Sequence, residues 1–288
     1  MGVATATAKQ FKNAFDSIHA FGYFAPELEA AFTAAGLRPG RMCYFAGRSA
    51  PMGAVGPATV AATFYNFNVE VIARHLPRAW TLATPEQVVT ARFAGIDAAF
   101  TRLLGAEALA ADDIAEAAEL AREAVSACRP EGRPLYAGHA TVPWPDRPHL
   151  VLWHALTLLR EHRGDGHIAA LVLNGLAGLP ALVTHTATGN GFLAEAAKKS
   201  RGWSDEQWAA AEAELRESGI LGEDGKLTEA GEALRERIEE ATNAATEGPW
   251  AHLGPEKTAR LEELCVPISA RLVAAGAFPP GVFATGRP

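Results

Sequence analysis

The segment "SDEQWAAAEAELRESGILGEDGKLTEAGEALRERIEE", residues 204–240, carries the clearest local signals for secondary structure in the chain. Ser204 is a good N-cap for the helix that follows it. Asp224 and Gly225 are typical of a two-residue β-turn, so "ILGEDGKLT" predicts a two-stranded hairpin. Thr228 is placed to cap a second, longer helix. The segment therefore predicts a helix, a small β-hairpin and another helix.

Outside this segment the sequence is typical of helices almost throughout. Apolar residues recur at helical spacing, and prolines and glycines stand where helices begin and end. The predicted helices cover residues 8–22, 26–36, about 57–74, 85–104, 112–128, 148–162 and 255–275, and another helix begins near His167. The fold class is therefore predicted to be mainly α, with β-structure confined to the hairpin.

A proline-rich stretch interrupts the helical pattern. Residues 129–148, "RPEGRPLYAGHATVPWPDRP", contain five prolines, which favour a long crossing segment or a domain boundary. The sequence therefore predicts an N-terminal helical domain over residues 1–128 and a C-terminal helical domain over residues 149–288.

The composition is that of a globular protein: 49% of the 288 residues are hydrophobic and 20% are charged. The three cysteines are scattered and match neither a disulfide framework nor a metal-binding pair, which favours a reducing compartment. The first residues lack a hydrophobic signal core, and the most apolar run, residues 167–183, is too short to span a bilayer. We therefore expect a cytoplasmic protein without a membrane partner.

Five short stretches carry a family resemblance: "YFAGRSAPMGAV", "FYNFN", "LPRAW", "LREHRGDGHIAAL" and "DGKLTEAG". They resemble an actinobacterial helix-turn-helix or winged-helix-like family of unassigned activity, over about residues 24–255. The resemblance implies a mainly helical fold with a MarR-like winged-helix element, whose wing is the small hairpin, in the C-terminal half. It implies no catalytic residues.

The charge of the predicted winged helix argues against DNA. Residues 204–247 contain thirteen acidic and four basic residues, a formal net charge of −9. Since phosphate neutralisation by Lys and Arg supplies much of the affinity for DNA, this count predicts that DNA is an unlikely partner. The winged helix is then expected to be a packing module or the interface of a homodimer.

The stretch "LREHRGDGH", residues 159–167, concentrates two arginines, two carboxylates and two histidines. Gly164 and Gly166 predict a turn that reverses the chain, and Asp165 is placed to cap a helix that begins near His167. Two helices that meet there bring ionisable groups toward one point, which favours a site. The alternative is a solvated, salt-bridged helix corner.

The candidate site residues follow from this cluster and from the glycine-punctuated stretch "FAGRSAPMGAVG". On a helix over residues 148–162, a histidine and a carboxylate share one face, which suits acid–base chemistry near neutral pH. An arginine among small residues suits a carboxylate or phosphate, and a methionine suits an adaptable pocket. The predicted catalytic residues are His154, Glu161 and His167, and the predicted ligand-binding residues are Arg48, Met52, Trp153, Arg160, His162 and Arg163.

Three functions remain open on the sequence alone. The leading hypothesis is a small-molecule-binding helical protein, an enzyme of bacterial specialised metabolism, with a pocket between the two halves. The alternatives are a ligand-responsive winged-helix transcription regulator and a non-catalytic binding or assembly protein. Neither HExxH nor CxxC spacing occurs, so no metal site is predicted and the sequence names no cofactor.

Overall fold

The structure is a computed structural model that describes residues 14–189 and 192–279. Within these ranges the regular secondary structure is helical, so the predicted mainly α fold is confirmed. The first part of the chain forms α1 (residues 14–20), α2 (Pro26–Ala34), α3 (Arg41–Ser49), α4 (Pro57–Phe64), α5 (Val69–Ala73), α6 (Pro85–Leu104), α7 (Ala106–Leu109), α8 (Asp112–Val125) and α9 (Pro134–Ala140). The second part forms α10 (Pro148–Leu173), α11 (Gly178–Ala187), α12 (Ala194–Arg201), α13 (Asp205–Glu217), α14 (Glu229–Ala245), α15 (Gly248–Leu253) and α16 (Pro255–Ala274).

Helix α10 (Pro148–Leu173) is continuous, so the prediction of a glycine turn within it is wrong. Asp165 caps no new helix, because its Oδ2 accepts a hydrogen bond from the backbone N–H of Tyr136 at 2.8 Å. Gly166 instead provides space, since a Cβ there would lie 2.6 Å from Nη1 of Arg133. An interior glycine costs a helix only about 1 kcal/mol. The packing of α10 against α8, α9 and α14 outweighs that cost.

The predicted β-hairpin wing is also wrong, because none of the described residues forms a strand. Leu221 and Leu227 make one antiparallel bridge, and the chain between them is a turn. A two-stranded hairpin needs several adjacent pairs to be stable. Here Leu221 packs into a helical core, and the Thr228 side chain already caps α14 by accepting a hydrogen bond from Gly231 N at 3.1 Å. The connection between α13 and α14 is therefore a tight turn and no wing.

The helices enclose two hydrophobic cores that share α10. The first core contains side chains of α1 to α9, of the first half of α10, and of α15 and α16. The second core contains side chains of the last turns of α10 and of α11 to α14. No single helix in the described ranges is long and apolar enough to cross a membrane, and the one pair that reaches this together, α10 with α11, is bent by 102°.

A short loop over residues 65–68 fastens the second core to the first. We call it the docking loop; it breaks the single helix predicted over residues 57–74. The Tyr65 hydroxyl donates to the carbonyl oxygen of Leu176 at 2.6 Å. The indole Nε1 of Trp203 donates to the carbonyl oxygen of Asn66 at 2.9 Å. The docking loop thus holds the starts of α11 and α13 against the first core.

Candidate functional site

A cavity of about 330 Å³ lies where the two cores meet, and we call it the central cavity. Its walls come from α1, α3, α4, the docking loop, α9, α10, α11, α12 and α14. The volume is at the lower end of the range for small-molecule sites. Among the described residues its polar wall includes Asp16, Arg48, Arg160, Glu161, Arg163, Asp165, His167, His185, Arg201, Arg235 and Glu239.

Glu161 is the buried centre of this wall, with 0% exposure. Arg48 donates to it from Nε at 2.9 Å and from Nη2 at 2.8 Å, and Arg160 donates from Nη1 at 2.6 Å. Burial alone would raise the pKa of Glu161, but the charges of Arg160 and Arg48 outweigh it and hold the pKa well below its usual range. One ionised carboxylate therefore faces two guanidinium groups.

Arg201, the last residue of α12, adds a further positive charge to the wall. Its Nε donates to Oδ1 of Asn66 at 3.2 Å, and its guanidinium lies over the rings of Phe67 at 4.5 Å and Phe192 at 4.8 Å. These partners are uncharged, and none of the described carboxylates forms a salt bridge with Arg201. Burial lowers the pKa of Arg201, as expected for a half-buried cation that has no counterion among the described residues.

The nearby carboxyl of Asp165 offsets part of this charge. Burial raises the pKa of Asp165 to about 6, although the backbone N–H of Tyr136 stabilises its charged form. Most of this carboxyl is therefore ionised near neutral pH. The three guanidinium groups of Arg48, Arg160 and Arg201 still outnumber the two carboxylates of Glu161 and Asp165. The described wall around Glu161 and Arg201 therefore carries an excess of positive charge, which suits an anionic group on a ligand.

Part of the wall of the central cavity is aromatic, and we call it the aromatic wall. Tyr44, Phe64, Tyr65 and Phe67 line it, and Arg48 lies over the Phe64 ring at 4.3 Å. The rings of Tyr44 and Phe67 are 5.5 Å apart, and Phe64 contacts both. This wall can pack against a planar or apolar body, while the arginines hold an anionic head.

The structure brings several of the predicted site residues together. Arg48, Arg160, Glu161, Arg163 and His167 all line the central cavity. The arginine of α3 and the carboxylate of α10 are 113 positions apart in the chain yet form a bidentate pair. His167 Nδ1 lies 2.9 Å from the hydroxyl of Thr242. Their roles in binding or catalysis stay predictions.

Other predicted site residues lie elsewhere. His154 is buried between Phe93 and Trp144, where burial first and then the charge of Arg92 lower its pKa to about 3. Trp153 belongs to the first core.

Two more predicted ligand-binding residues also lie outside the central cavity. Met52 packs at Gly138, where an added Cβ would lie 2.8 Å from the methionine Cγ. His162 lines a separate cavity of about 60 Å³. Burial lowers its pKa to about 4. The sequence predicted that the site residues of α10 lie along one face of the helix and line one pocket. In the structure, the residues along this face contact different parts of the two cores.

Sequence reasoning missed Arg201, Arg235 and the aromatic wall. Arg201 ends the basic run "KKSR", residues 198–201, which is the only local hint. The aromatic residues of "FYNFN" predict core packing equally well, because nothing local distinguishes a cavity wall from a core. No group of three His, Cys, Asp or Glu side chains that could hold a metal ion is found in the described part of the chain.

Two helices of the second core, α12 and α13, are joined by the turn 202–204. Gly202 is left-handed, with φ of 76°, and a Cβ there would lie 2.8 Å from Cβ of Val71. Ser204 caps α13, as predicted, by accepting a hydrogen bond from Gln207 N at 3.2 Å. Two helices joined by a short glycine-containing turn have the connectivity of a helix-turn-helix motif.

The comparisons with known proteins agree with this class. The chain belongs to a helix-turn-helix family, whose model matches residues 8–279. No curated protein and no solved structure matches the chain.

Membership of this family contradicts the prediction that DNA is an unlikely partner. The prediction failed because a charge count over consecutive residues ignores where the charges lie. Glu239 turns inward to Arg163 at 2.6 Å, and Asp205 pairs with Lys198 at 2.6 Å. Arg41 of α3 donates to the carbonyl oxygen of Lys199, so a distant basic residue borders α12.

Proposed function

We propose that the protein is a ligand-responsive helix-turn-helix transcription regulator. It binds an anionic small molecule in the central cavity and duplex DNA through its helix-turn-helix unit, which we assign to α12 and α13. The observation that carries the proposal is Arg201: this guanidinium lines the cavity, has only uncharged partners among the described residues, and stands at the end of the first helix of that unit.

The chemistry of the walls supports a particular class of ligand. Glu161 already offsets the charges of Arg48 and Arg160, so an added anion binds more strongly to Arg201 than to these two arginines. The aromatic wall favours an apolar or aromatic body on the same molecule. The ligand class is therefore an organic carboxylate or phosphate with a planar apolar part.

The docking loop supports a route from the cavity to the helix-turn-helix unit. Asn66 lines the cavity, and its backbone oxygen accepts the hydrogen bond of Trp203 in the turn of that unit. The backbone N–H of Asn68 donates to the carbonyl oxygen of Arg201 at 3.0 Å. An anion that draws Arg201 inward acts directly on these bonds and therefore on the position of α12 and α13. A ligand shifts such an equilibrium only through a difference in affinity between the two positions.

Basic side chains along one edge of α12 support the DNA-binding role. Lys199 and Arg74 are exposed, and the guanidinium of Arg41 donates a hydrogen bond to the backbone carbonyl oxygen of Lys199. Burial first, and then the charges of Arg41 and Arg74, lower the pKa of His75, so both arginines add positive potential at this histidine. Such an edge can follow a phosphate backbone.

Ligand binding is tested with a panel of aromatic carboxylates and their uncharged amides. We expect at least one carboxylate, and not its amide, to raise the melting temperature of the wild-type protein. Arg201→Gln should weaken its binding roughly 10- to 100-fold, the usual worth of a buried hydrogen bond to a charged group. Arg38→Gln, which changes an exposed arginine outside the cavity, should leave it unchanged. Equal responses of Arg201→Gln and wild type would contradict the proposal.

A second candidate function is that of an enzyme. It is tested by mass spectrometry of the bound carboxylate after it has been recovered from the protein. This candidate rests on Asp165, a cavity carboxyl whose pKa of about 6 suits proton transfer near neutral pH. A regulator returns the carboxylate unaltered, and an enzyme returns a product.

DNA binding is tested by selection from random-sequence duplexes. We expect the wild-type protein to enrich a sequence, and Lys199→Glu to weaken binding to it and to lower the slope of log K against log salt by about 1. Lys257→Glu serves as the matched control, because that lysine is exposed on α16 and pairs with Glu123 of α8. Absence of enrichment, or equal losses in both variants, would argue against this DNA face.

A further inference from the structure

Arg92 of α6 is buried, with 5% exposure. Its Nη1 lies 3.2 Å from Nδ1 of His139, and its guanidinium lies over the Trp153 ring at 4.7 Å. Its Nη2 has no hydrogen-bond partner among the described residues. Fully buried arginines are almost always paired, because removing the charge from water is costly.

The groups around Arg92 provide no negative charge of their own. His139 and His154 are both held neutral, since burial first and then the charge of Arg92 lower their pKa values. The carboxylate of Glu161 attracts Arg92 only from a distance and is already bonded to Arg48 and Arg160. The positive charge of Arg92 is therefore not neutralised by a contacting acid.

A small cavity of about 70 Å³ lies beside Arg92, and we call it the inner cavity. Arg92, Arg48, Tyr23 and Tyr44 line it together with apolar side chains. Glu29 also reaches its wall, but this carboxylate is exposed and accepts a hydrogen bond from Gly40 N at 2.8 Å. At about 30 Å³ for each water molecule, the inner cavity has room for two waters or one small anion.

We propose that the inner cavity binds a small monovalent anion of the size of chloride or formate, held by Arg92 with Arg48. The bound anion supplies the negative charge that none of the described side chains in contact with Arg92 provides. This site is separate from the central cavity, although Arg48 and Tyr44 lie on the walls of both. It does not rest on the proposed regulatory function.

The direct test is the ³⁵Cl NMR line width of sodium chloride solutions that contain the full chain. We expect the wild-type protein to broaden the chloride signal and Arg92→Gln to lose this broadening. Arg38→Gln is the matched control, since this exposed arginine lines neither cavity, and it should broaden the signal as wild type does. Equal broadening with Arg92→Gln would overturn the proposal. Broadening that is lost with Arg201→Gln but kept with Arg92→Gln would place the chloride in the central cavity and would also overturn it.

A second measurement needs no variant and covers the case in which Arg92→Gln fails to fold. The melting temperature of the wild-type protein is measured in chloride, in formate and in gluconate at one ionic strength. Chloride and formate should raise it in a saturable manner, because both fit the inner cavity, and gluconate should not, because it is too large. Equal melting temperatures in the three salts would overturn the proposal.

Discussion

Replacing Glu161 by glutamine should lower the free energy of unfolding by about 3–5 kcal/mol, because it leaves two buried or half-buried arginines without their counterion. Glu161 is fully buried, and both Arg48 and Arg160 donate to it. Urea denaturation at pH 7 measures the loss.

The loss should depend on pH in a defined direction. The folded-state pKa of Glu161 lies well below its usual range. Its ion pairs therefore stabilise the protein above the unfolded pKa of about 4.3, and this stabilisation disappears as the pH falls through the folded pKa. The difference between wild type and Glu161→Gln should narrow in acid. A difference that stays constant down to strongly acidic pH would contradict the ion-pair assignment.

Glu123→Gln is the control for this prediction. Glu123 pairs with Lys257 at 2.6 Å, and both side chains are more than one third exposed. Exposed ion pairs contribute about 0–1 kcal/mol. A loss in Glu161→Gln no larger than in Glu123→Gln would show that the buried cluster is not required for stability.

Replacing Gly178 by alanine should lower the free energy of unfolding by about 2–3 kcal/mol, which is in the range for overpacked sites. It should also separate α11 from the docking loop. A Cβ at Gly178 would overlap the carbonyl oxygen of Tyr65, which is backbone and cannot rotate away. Hydrogen exchange of the Asn68 amide, which bonds to the carbonyl oxygen of Arg201, should become faster. Unchanged protection of this amide would contradict the predicted separation.

Gly164→Ala is the matched control on α10. A Cβ there meets only Nη1 of Arg160 and Oε2 of Glu161, both at the ordinary contact distance of 3.6 Å. Because Gly164 lies inside a continuous helix, alanine should raise the free energy of unfolding by about 0.5–1 kcal/mol. A decrease would indicate that the chain turns at Gly164, as its sequence suggested.

Local signals in the sequence were sufficient for much of the helical framework. Ser204 and Thr228 cap α13 and α14 as predicted, and Pro85 and Gly105 stand at the start and end of α6. Each of these effects acts within one helical turn, between residues that are neighbours in the chain. Local sequence therefore determines them.

The candidate site depends much less on local sequence. "LREHRGDGH" marked the part of α10 that faces the central cavity, but its glycines suggested a turn that the structure lacks. Turn and helix preferences differ by only about 1 kcal/mol per residue, and burial of a whole helix face outweighs them. For the same reason, the segment between α13 and α14 forms a tight turn and not the expected wing.

By itself, the sequence determined that the chain is mainly helical and where helices such as α6, α13 and α14 begin and end. Only the tertiary structure decided that Arg48 meets Glu161 across 113 positions, and that Arg201 turns into the central cavity. The sequence could not show this, because the energy of a charge depends on its burial and on its partners. Those partners come from distant helices, whose packing is fixed by the whole apolar surface of both cores.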